Sequence, residues 1–279
     1  MGDDVFLSSI YYLHRFNSSS LLIGKLDALE LLKDGTFYGG AGRYGFMNLA
    51  FVAPPSGIIP PAFLGAMLNW KTENFDWTAM VFDPINRYSE NSFSAPFSDG
   101  VAASLTVGHT RSVFGRSSNL TLSGSYSSAE GKDLENLFDR TASVNGKYNI
   151  RLQASHNLFE SADNPAHSWG LYTRFAIADG NPNLLQRTFT AGLGGKSFIE
   201  NRFNDQWGIG YFSNNLSDDL QYSLHHSPLD KSLSDEKGME VYYSYALTPA
   251  INLTADIQYI ESLDQQNNFL FGIRANIRL

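Results

Sequence analysis

The sequence predicts an all-β protein, namely an antiparallel up-and-down transmembrane β-barrel of roughly 12–16 strands. Three observations predict this fold. Segments of about ten residues alternate between apolar and polar side chains, aromatic residues make up 14 % of the chain, and no long apolar run is present. A short inserted helix and a long loop are expected near the N-terminus, and residues 1–279 are expected to form one domain.

The alternation is clearest in the last segment, 269–279. Phe269 and Phe271 fall on one side of such a strand, and Arg274 falls on the other. The segment is longer than the usual soluble strand of about 5–6 residues, and it matches the roughly 9–11 residues of a tilted strand that crosses a bilayer. Charged residues in the middle of a strand, such as Asp256, need water. A water-filled lumen on one face and lipid on the other satisfy both requirements.

The composition supports a membrane barrel and excludes several other classes. Charged residues make up only 17 % of the chain, against the usual ~25 %, and 20 Phe and 14 Tyr could supply aromatic girdles at two membrane interfaces. The net charge of −8 argues against nucleic-acid binding. Without cysteine there is no disulfide framework and no thiolate metal site.

The pattern also predicts where the strands lie. Two strands are expected at 5–15 and 20–26, and a helix at 27–34, because Asp27 is a good N-cap and good helix formers follow it. Further strands are expected at 62–71, 75–82, 100–113, 118–128, 145–158, 166–178, 186–198, 205–215, 237–247, 250–260 and 268–279. Short turns would alternate with long connections, as they do in outer-membrane barrels.

Residues 35–61 form a long segment rich in glycine and proline. Such a long loop is uncommon in a compact fold and is usually functional. Two interpretations remain open at this point. The segment is either an extracellular loop or a loop folded inward that narrows the lumen.

Residues that would face the lumen are the candidate site. A channel that binds its solute needs hydrogen-bonding groups and aromatic surface along a wet path, and its binding must stay weak enough for the solute to leave. Parity assigns eight side chains to the lumen: Arg151, Tyr172, Arg174, Glu240, Tyr242, Asp256, Arg274 and Arg278. Lys25 and Asp27 join them as candidates because they lie where a strand meets the long loop. For any one of these residues, the alternative is a solvated charge that pairs with its neighbours.

Other motifs carry no chemistry. Gly40–Gly45 fits the spacing of a dinucleotide-binding turn, but no helix is expected after it. The adjacent pairs His225-His226 and Asp218-Asp219 provide too few ligands for a metal site. No nucleophile, base and orienting acid are placed together, so neither an enzyme nor a cofactor is predicted.

Several stretches resemble one known family, the carbohydrate-selective porins of the OprB type. The likeness spans nearly the whole chain, through the order and spacing of its pieces. These pieces are Gly24–Asp27, Phe97–Gly100, Ala178–Asn183, Thr190–Lys196, Asp205–Tyr211, Leu216–Leu220, Glu240–Pro249, Leu253–Tyr259 and Gly272–Arg278.

The resemblance implies a 16-stranded channel in the outer membrane of a Gram-negative bacterium. Such a channel lets monosaccharides such as glucose diffuse passively, with outer-membrane lipid and sugar as partners and a homo-oligomer as an open alternative. The chain begins inside the family pattern, without its first strands or a signal peptide, so either further chain or a smaller barrel is expected. Leu279 also departs from the aromatic residue that commonly ends such barrels.

Two alternatives belong to other classes of protein. An outer-membrane barrel enzyme would need Ser or Asp beside His at one rim, and the sequence shows no such pairing. A soluble β-rich carbohydrate-binding protein would show the same alternation, with its apolar faces meeting in a core. Strand length and aromatic content favour the membrane barrel.

Overall fold

The computed structural model describes residues 9–31, 45–52, 58–85, 93, 95–227 and 232–277, without the side chains of 29, 30 and 52. The strands are β1 Ile10–Phe16, β2 Ser19–Asp27, β3 Ala62–Lys71, β4 Asp76–Phe82, β5 Ala102–Val113, β6 Arg116–Lys132, β7 Ser143–Glu160, β8 Ser168–Ala178, β9 Leu185–Lys196, β10 Gln206–Leu216, β11 Glu236–Thr248, β12 Ile251–Glu261 and β13 Asn267–Ile277. The helices are α1 Ala28–Leu31, α2 Leu49–Val52 and α3 Asp218–His225.

The described strands form one 13-stranded sheet in which each strand pairs with its neighbours in sequence order. Every pairing is antiparallel, from β1 with β2 to β12 with β13. The predicted up-and-down all-β architecture is therefore confirmed, and its strand number lies within the expected range. The 16 strands that the family resemblance implies exceed the 13 found among the described residues.

The predicted boundaries agree well with those observed. The prediction for β3, 62–71, coincides with the observed strand, whereas β6 extends beyond its predicted 118–128 to Arg116–Lys132. The predicted N-terminal strand is observed as Ile10–Phe16, and its first residues, 5–8, lie outside the described part of the chain. Only Ala28–Leu31 of the predicted helix is observed, and residues 32–34 lie outside the described part.

The sequence prediction missed helix α3, which lies inside a segment expected to be loop. Ser217 caps this helix, since its side chain accepts a hydrogen bond from Leu220 N, and Asp218 and Asp219 occupy the first turn. Ser followed by acidic residues is a common helix start, so a signal was present in the sequence. His225 accordingly lies in the last turn of a helix rather than in a loop.

The two faces of the sheet differ in burial. In β8, Tyr172 and Arg174 are nearly inaccessible at 2 % and 3 % exposed, whereas Leu171 and Phe175 are each 45 % exposed. The same alternation runs through β9 to β12. We call the buried face inward and the exposed, mostly apolar face outward. Among the described residues, no helix is long and apolar enough to cross a membrane.

Short and long connections lie at opposite ends of the strands. Two-residue turns join β1 to β2 and β5 to β6, and a short turn joins β11 to β12. The longest connections lie at the opposite end, between β2 and β3, between β4 and β5 and between β10 and β11. We call the first the short-turn end. Outer-membrane barrels have short turns on the periplasmic side and longer loops outside.

A buried carboxylate at the short-turn end ties one turn to the neighbouring strand. Asp205, in the turn between β9 and β10, accepts two hydrogen bonds from the guanidinium of Arg202, at 2.7 and 2.9 Å. It also accepts hydrogen bonds from two groups of β11, the hydroxyl of Tyr243 at 2.6 Å and the backbone N–H of Ala246 at 2.8 Å. The guanidinium of Arg202 in turn lies 3.6 Å from the ring centroid of Tyr245. These bonds fix the turn against the neighbouring hairpin.

The carboxylate of Asp205 makes this end of the barrel sensitive to acid. Burial raises its pKa, but the hydrogen bonds from Arg202, Tyr243 and Ala246 outweigh burial and lower the pKa below the ordinary value of 3.8. A group with a depressed pKa stabilises the fold above its unfolded pKa, and this contribution is lost as the pH falls through the folded value.

We expect Asp205→Asn to lower the free energy of unfolding by about 1–3 kcal/mol at neutral pH, because charge-assisted hydrogen bonds are lost. The variant should also lose part of the stability difference between pH 6 and pH 2. Both effects can be measured by the temperature at which the band of the folded protein disappears in gel electrophoresis without prior boiling. Asp163→Asn, an exposed acid in the turn between β7 and β8, is the matched control. Equal midpoints for the two variants would contradict the prediction.

Candidate functional site

Part of the long N-terminal connection lies against the inward face of the sheet. We call residues 45–51 the inserted segment. Phe46 and Phe51 in this segment are fully buried at 0 % exposed, and Ala50 is 8 % exposed. They pack with Tyr172, Phe212 and Tyr242, which point inward from β8, β10 and β11. The described part of the connection therefore lies on the inward side of the sheet, and the narrowing of a lumen by this loop stays a prediction.

The aromatic rings form a continuous stack between the segment and the sheet. Phe46 and Phe51 stack with their centroids 4.3 Å apart. Phe46 meets the edge of Tyr242 at 4.9 Å, and Phe51 meets Phe212 at 5.5 Å in a perpendicular arrangement. Edge-to-face and offset pairs of this kind add about 0.5–1.5 kcal/mol each beyond the buried area. The stack therefore holds the segment by its apolar side.

Glycines on the inward face make room for these rings. A Cβ at Gly210 would lie 2.5 Å from the ring of Phe51 and 3.0 Å from that of Phe46. A Cβ at Gly208 would lie 2.5 Å from Tyr242, and one at Gly192 would lie 2.6 Å from the hydroxyl of Tyr172. We call Gly192, Gly208 and Gly210 the glycine track. Any larger side chain there would compete for the space of an aromatic ring.

Both carboxylate oxygens of Glu240 hold the backbone of the inserted segment. Oε1 accepts a hydrogen bond from Met47 N, and Oε2 accepts one from Asn48 N at 2.9 Å. Glu240 points inward from β11 and is only 1 % exposed. Each of these two hydrogen bonds contributes about 0.5–1.5 kcal/mol. They fix the height of the segment along β11.

Two arginines hold carbonyl groups of the same segment. Arg274 in β13 donates to Gly45 O at 2.7 Å, and Arg174 in β8 donates to Ala50 O. A buried backbone group without a partner costs about as much as a lost hydrogen bond, so these donors offset the burial of an irregular backbone. The inserted segment is therefore bound at both its ends.

A short polar chain continues along β12. Asn48 Nδ2 donates to Gln258 Oε1 at 3.2 Å, and Gln258 Nε2 donates to Asp256 Oδ1 at 2.8 Å. Asp256 is 3 % exposed and lies opposite Tyr242 in the register of β11 and β12. Asn48 Oδ1 also accepts a hydrogen bond from Ala50 N at 2.9 Å, and this bond begins the turn that leads into α2.

A different polar surface covers the inward face of β5 to β7. Thr106 and Ser123 share a hydrogen bond of 2.9 Å, and Ser125 donates to Ser104 at 2.9 Å. Arg151 in β7 donates to Ser123 Oγ at 3.2 Å. We call Ser104, Thr106, Ser123, Ser125 and Arg151 the hydroxyl wall. Its four hydroxyl groups and one planar guanidinium form hydrogen bonds across β5 to β7, and Ser104 and Ser123 are buried.

The structure thus brings six of the predicted residues together around the inserted segment, namely Tyr172, Arg174, Glu240, Tyr242, Asp256 and Arg274. Arg151 lies in the hydroxyl wall. Lys25 in β2 is 7 % exposed and lies opposite Leu64, and Asp27 ends β2. Arg278 lies outside the described residues. Contact of any of them with a solute stays a prediction.

Several residues of the site were not found by reasoning from the sequence. Phe46, Phe51 and Gln258 were missed because nothing local links the segment to strands that lie between 124 and 229 positions away. The glycine track did leave a signal, since Gly192, Gly208 and Gly210 recur at inward positions where polar residues were expected. Among the described residues, no group of three or more His, Asp or Glu is placed to hold a metal ion.

Comparison with solved structures gives the fold. The chain is similar to the high-pH structure of OprB from Pseudomonas putida, with a TM-score of 0.80 at 18 % identity over 97 % of this chain and 72 % of that one. The low-pH structure of the same protein gives a TM-score of 0.57 at 13 % identity, over 98 % and 67 % of the two chains. OmpT of Vibrio cholerae gives 0.53 at 12 % identity, over 96 % and 80 %.

The family follows from the sequence itself. A search of curated proteins gives no match. The model of the family described as "Carbohydrate-selective porin, OprB family" matches residues 2–279. Porins of this family are outer-membrane channels of Gram-negative bacteria and not enzymes. The chain therefore belongs to the OprB family of carbohydrate-selective porins.

Proposed function

We propose that the protein allows passive, sugar-selective diffusion of monosaccharides such as glucose through a water-filled lumen narrowed by the inserted segment. The observation that carries this proposal is the anchoring of the segment to inward side chains of β8, β11 and β13. A segment held at fixed points sets a fixed passage, whereas a mobile loop would set a variable one. Selectivity among small solutes requires the fixed passage.

The chemistry of the hydroxyl wall supports sugar as the solute. Hydroxyl groups both donate and accept, so they can replace the water around a sugar at little net cost. Arg151 adds planar paired donors suited to neighbouring sugar hydroxyls. Leu49 in the inserted segment is 67 % exposed and offers apolar surface to the opposite face of a pyranose ring. Weak contacts of both kinds permit entry and exit.

This proposal divides the predicted site residues into two roles. Arg151 contacts the solute directly. Arg174, Glu240 and Arg274 act through the inserted segment by holding its backbone, as do Tyr172, Tyr242 and Asp256 by packing and polar contact near it. The test of the function is single-channel conductance of the detergent-purified protein in planar bilayers, titrated with glucose and with the larger maltose. Conductance that glucose does not reduce would overturn the proposal.

Arg151→Ala should weaken the block of channel current by glucose roughly 2–10-fold, because one hydrogen bond contributes about 0.5–1.5 kcal/mol. Arg151→Lys should restore only part of the block, since lysine keeps the charge but not the planar donors. The control is Arg187→Ala, an exposed arginine of β9. If Arg187→Ala weakens glucose block as much as Arg151→Ala does, the wall does not contact the sugar.

Arg174→Ala combined with Arg274→Ala should release the inserted segment, because both of its bonded carbonyl groups lose their donors. We expect a larger and noisier single-channel conductance and a smaller difference between glucose and maltose. The current traces of the double variant are to be compared with those of Arg187→Ala. An unchanged conductance in the double variant would mean that these arginines do not set the passage.

Gly210→Leu should displace the segment from the wall by filling the space of Phe51 and Phe46. The expected result is an altered conductance together with a loss of about 1–3 kcal/mol in stability from overpacking. Gly124→Leu is the matched control, because nothing lies within 4 Å of a Cβ at that outward glycine of β6. The same change of conductance in both variants would argue against the glycine track.

A further inference from the structure

The outward face of the sheet carries a groove of about 560 Å³ that crosses β7 to β11. Its floor contains Ala154, Thr173 and Ala191, and its rim contains Leu171 and Ile209. We call this feature the outer groove. Its size lies within the roughly 300–1,000 Å³ range of ligand sites, although it is open along its length.

Strand register explains why the outer groove exists. Ala154 pairs with Thr173, and Thr173 pairs with Ala191, so three small side chains form one row across three strands. The adjacent outward rows carry large residues, namely Leu171 with Leu193 on one side and Phe175 with Phe189 on the other. A row of small residues between two rows of large ones leaves a channel one side chain wide.

The floor of the outer groove is apolar despite its threonine. Thr173 Oγ1 donates to Thr190 O at 3.1 Å, so its hydroxyl is already bonded to the backbone. A bonded hydroxyl offers its methyl group to a ligand at little cost. The groove therefore suits an apolar chain.

One end of the outer groove is polar, and a basic residue, Arg111, lies near it in β5. His156 lines that end and shares a hydrogen bond of 2.7 Å between its Nδ1 and Ser118 Oγ. Ser118 is the register partner of both His156 and Arg111, so the latter two lie about 10 Å apart on either side of it. Arg111 is exposed and lies two residues before the end of β5, at the short-turn end. An anion between the two would reach both.

We propose that the outer groove binds one acyl chain of a glycerophospholipid whose phosphate contacts Arg111 and His156. The outward face of an outer-membrane barrel meets lipid, and its short turns face the periplasm. The phosphate end of the groove lies on that side, which places the lipid in the periplasmic leaflet. Guanidinium groups match phosphate geometry, and a bare apolar surface would show no such preference.

The ligand is tested by native mass spectrometry of the purified porin with dioleoylphosphatidylglycerol. Wild-type protein should retain one lipid through collisional activation that removes the others. Ala191→Phe fills the groove and should weaken retention about tenfold, since losing contact with about two CH₂ groups costs that much. Ala154→Leu fills its other part and should act in the same direction. Arg111→Gln should weaken lipid retention roughly two- to fivefold, as expected for the loss of an exposed ion pair.

Matched controls separate a specific site from ordinary lipid contact. Ala255→Phe places the same new ring on an exposed outward position of β12, away from the groove, and should retain lipid as the wild type does. Dioleoylglycerol, which has the same chains without the phosphate, should bind more weakly than the phospholipid. Glucose should block the current equally in the wild type and in all the groove variants. This result would show, without use of the lipid measurement, that the variants are folded. Equal retention by wild type, Ala191→Phe and Ala154→Leu would overturn the proposal, as would equal losses in Ala191→Phe and Ala255→Phe.

Discussion

The site depends on the pairing of peptide groups that an irregular segment carries into the interior of the sheet. Strand backbones in this fold bond to one another, but the inserted segment has no strand partner among the described contacts. Its N–H groups at 47 and 48 bond to Glu240, and its carbonyl groups at 45 and 50 bond to Arg274 and Arg174. These three side chains, from three strands, therefore replace the backbone hydrogen bonds that a neighbouring strand would have supplied.

This pairing explains why charged residues occur in the middle of membrane-spanning strands. A charge on such a strand needs water or a polar partner, and Glu240 at 1 % exposed has little water. Its partners are two backbone N–H groups of the inserted segment, and both hydrogen bonds are sheltered from water. The residues that the sequence assigns to a solvated lining therefore also bind the inserted segment inside the sheet. The hydroxyl wall differs from this arrangement, because its polar side chains bond to one another across β5 to β7.

Much of the fold could be predicted from the sequence, because the two-residue period of a strand is local. Eleven segments from Ala62 onward were placed with the right type and nearly the right ends, since alternation over ten or more residues leaves little freedom of register. Helix α3 was missed since its short amphipathic pattern lies in a stretch that also reads as a polar loop. Its capping serine and the two acidic residues of its first turn were the local signals of the helix.

The candidate site was less predictable, because its contacts are distant in sequence. Parity correctly groups Arg174, Glu240 and Arg274 as a set, but it does not reveal that the set holds a segment near residue 47, which is separated from Glu240 by 193 positions. Burial of Phe46 and Phe51 was equally hidden, since their surroundings are rich in glycine and proline and have no periodicity. Long-range packing of an aperiodic segment leaves almost no trace in a single sequence.

The glycine track has a further consequence for how such a channel can diversify. The glycine track and the aromatic rings have complementary shapes, because the missing Cβ atoms of Gly208 and Gly210 leave room for Phe46, and that of Gly192 leaves room for Tyr172. Side-chain volume can therefore be exchanged between the two, with volume added at the glycine track as it is removed from the aromatic rings. Permeability can then be retuned while the circumference of the sheet, and so its fit to the bilayer, stays the same.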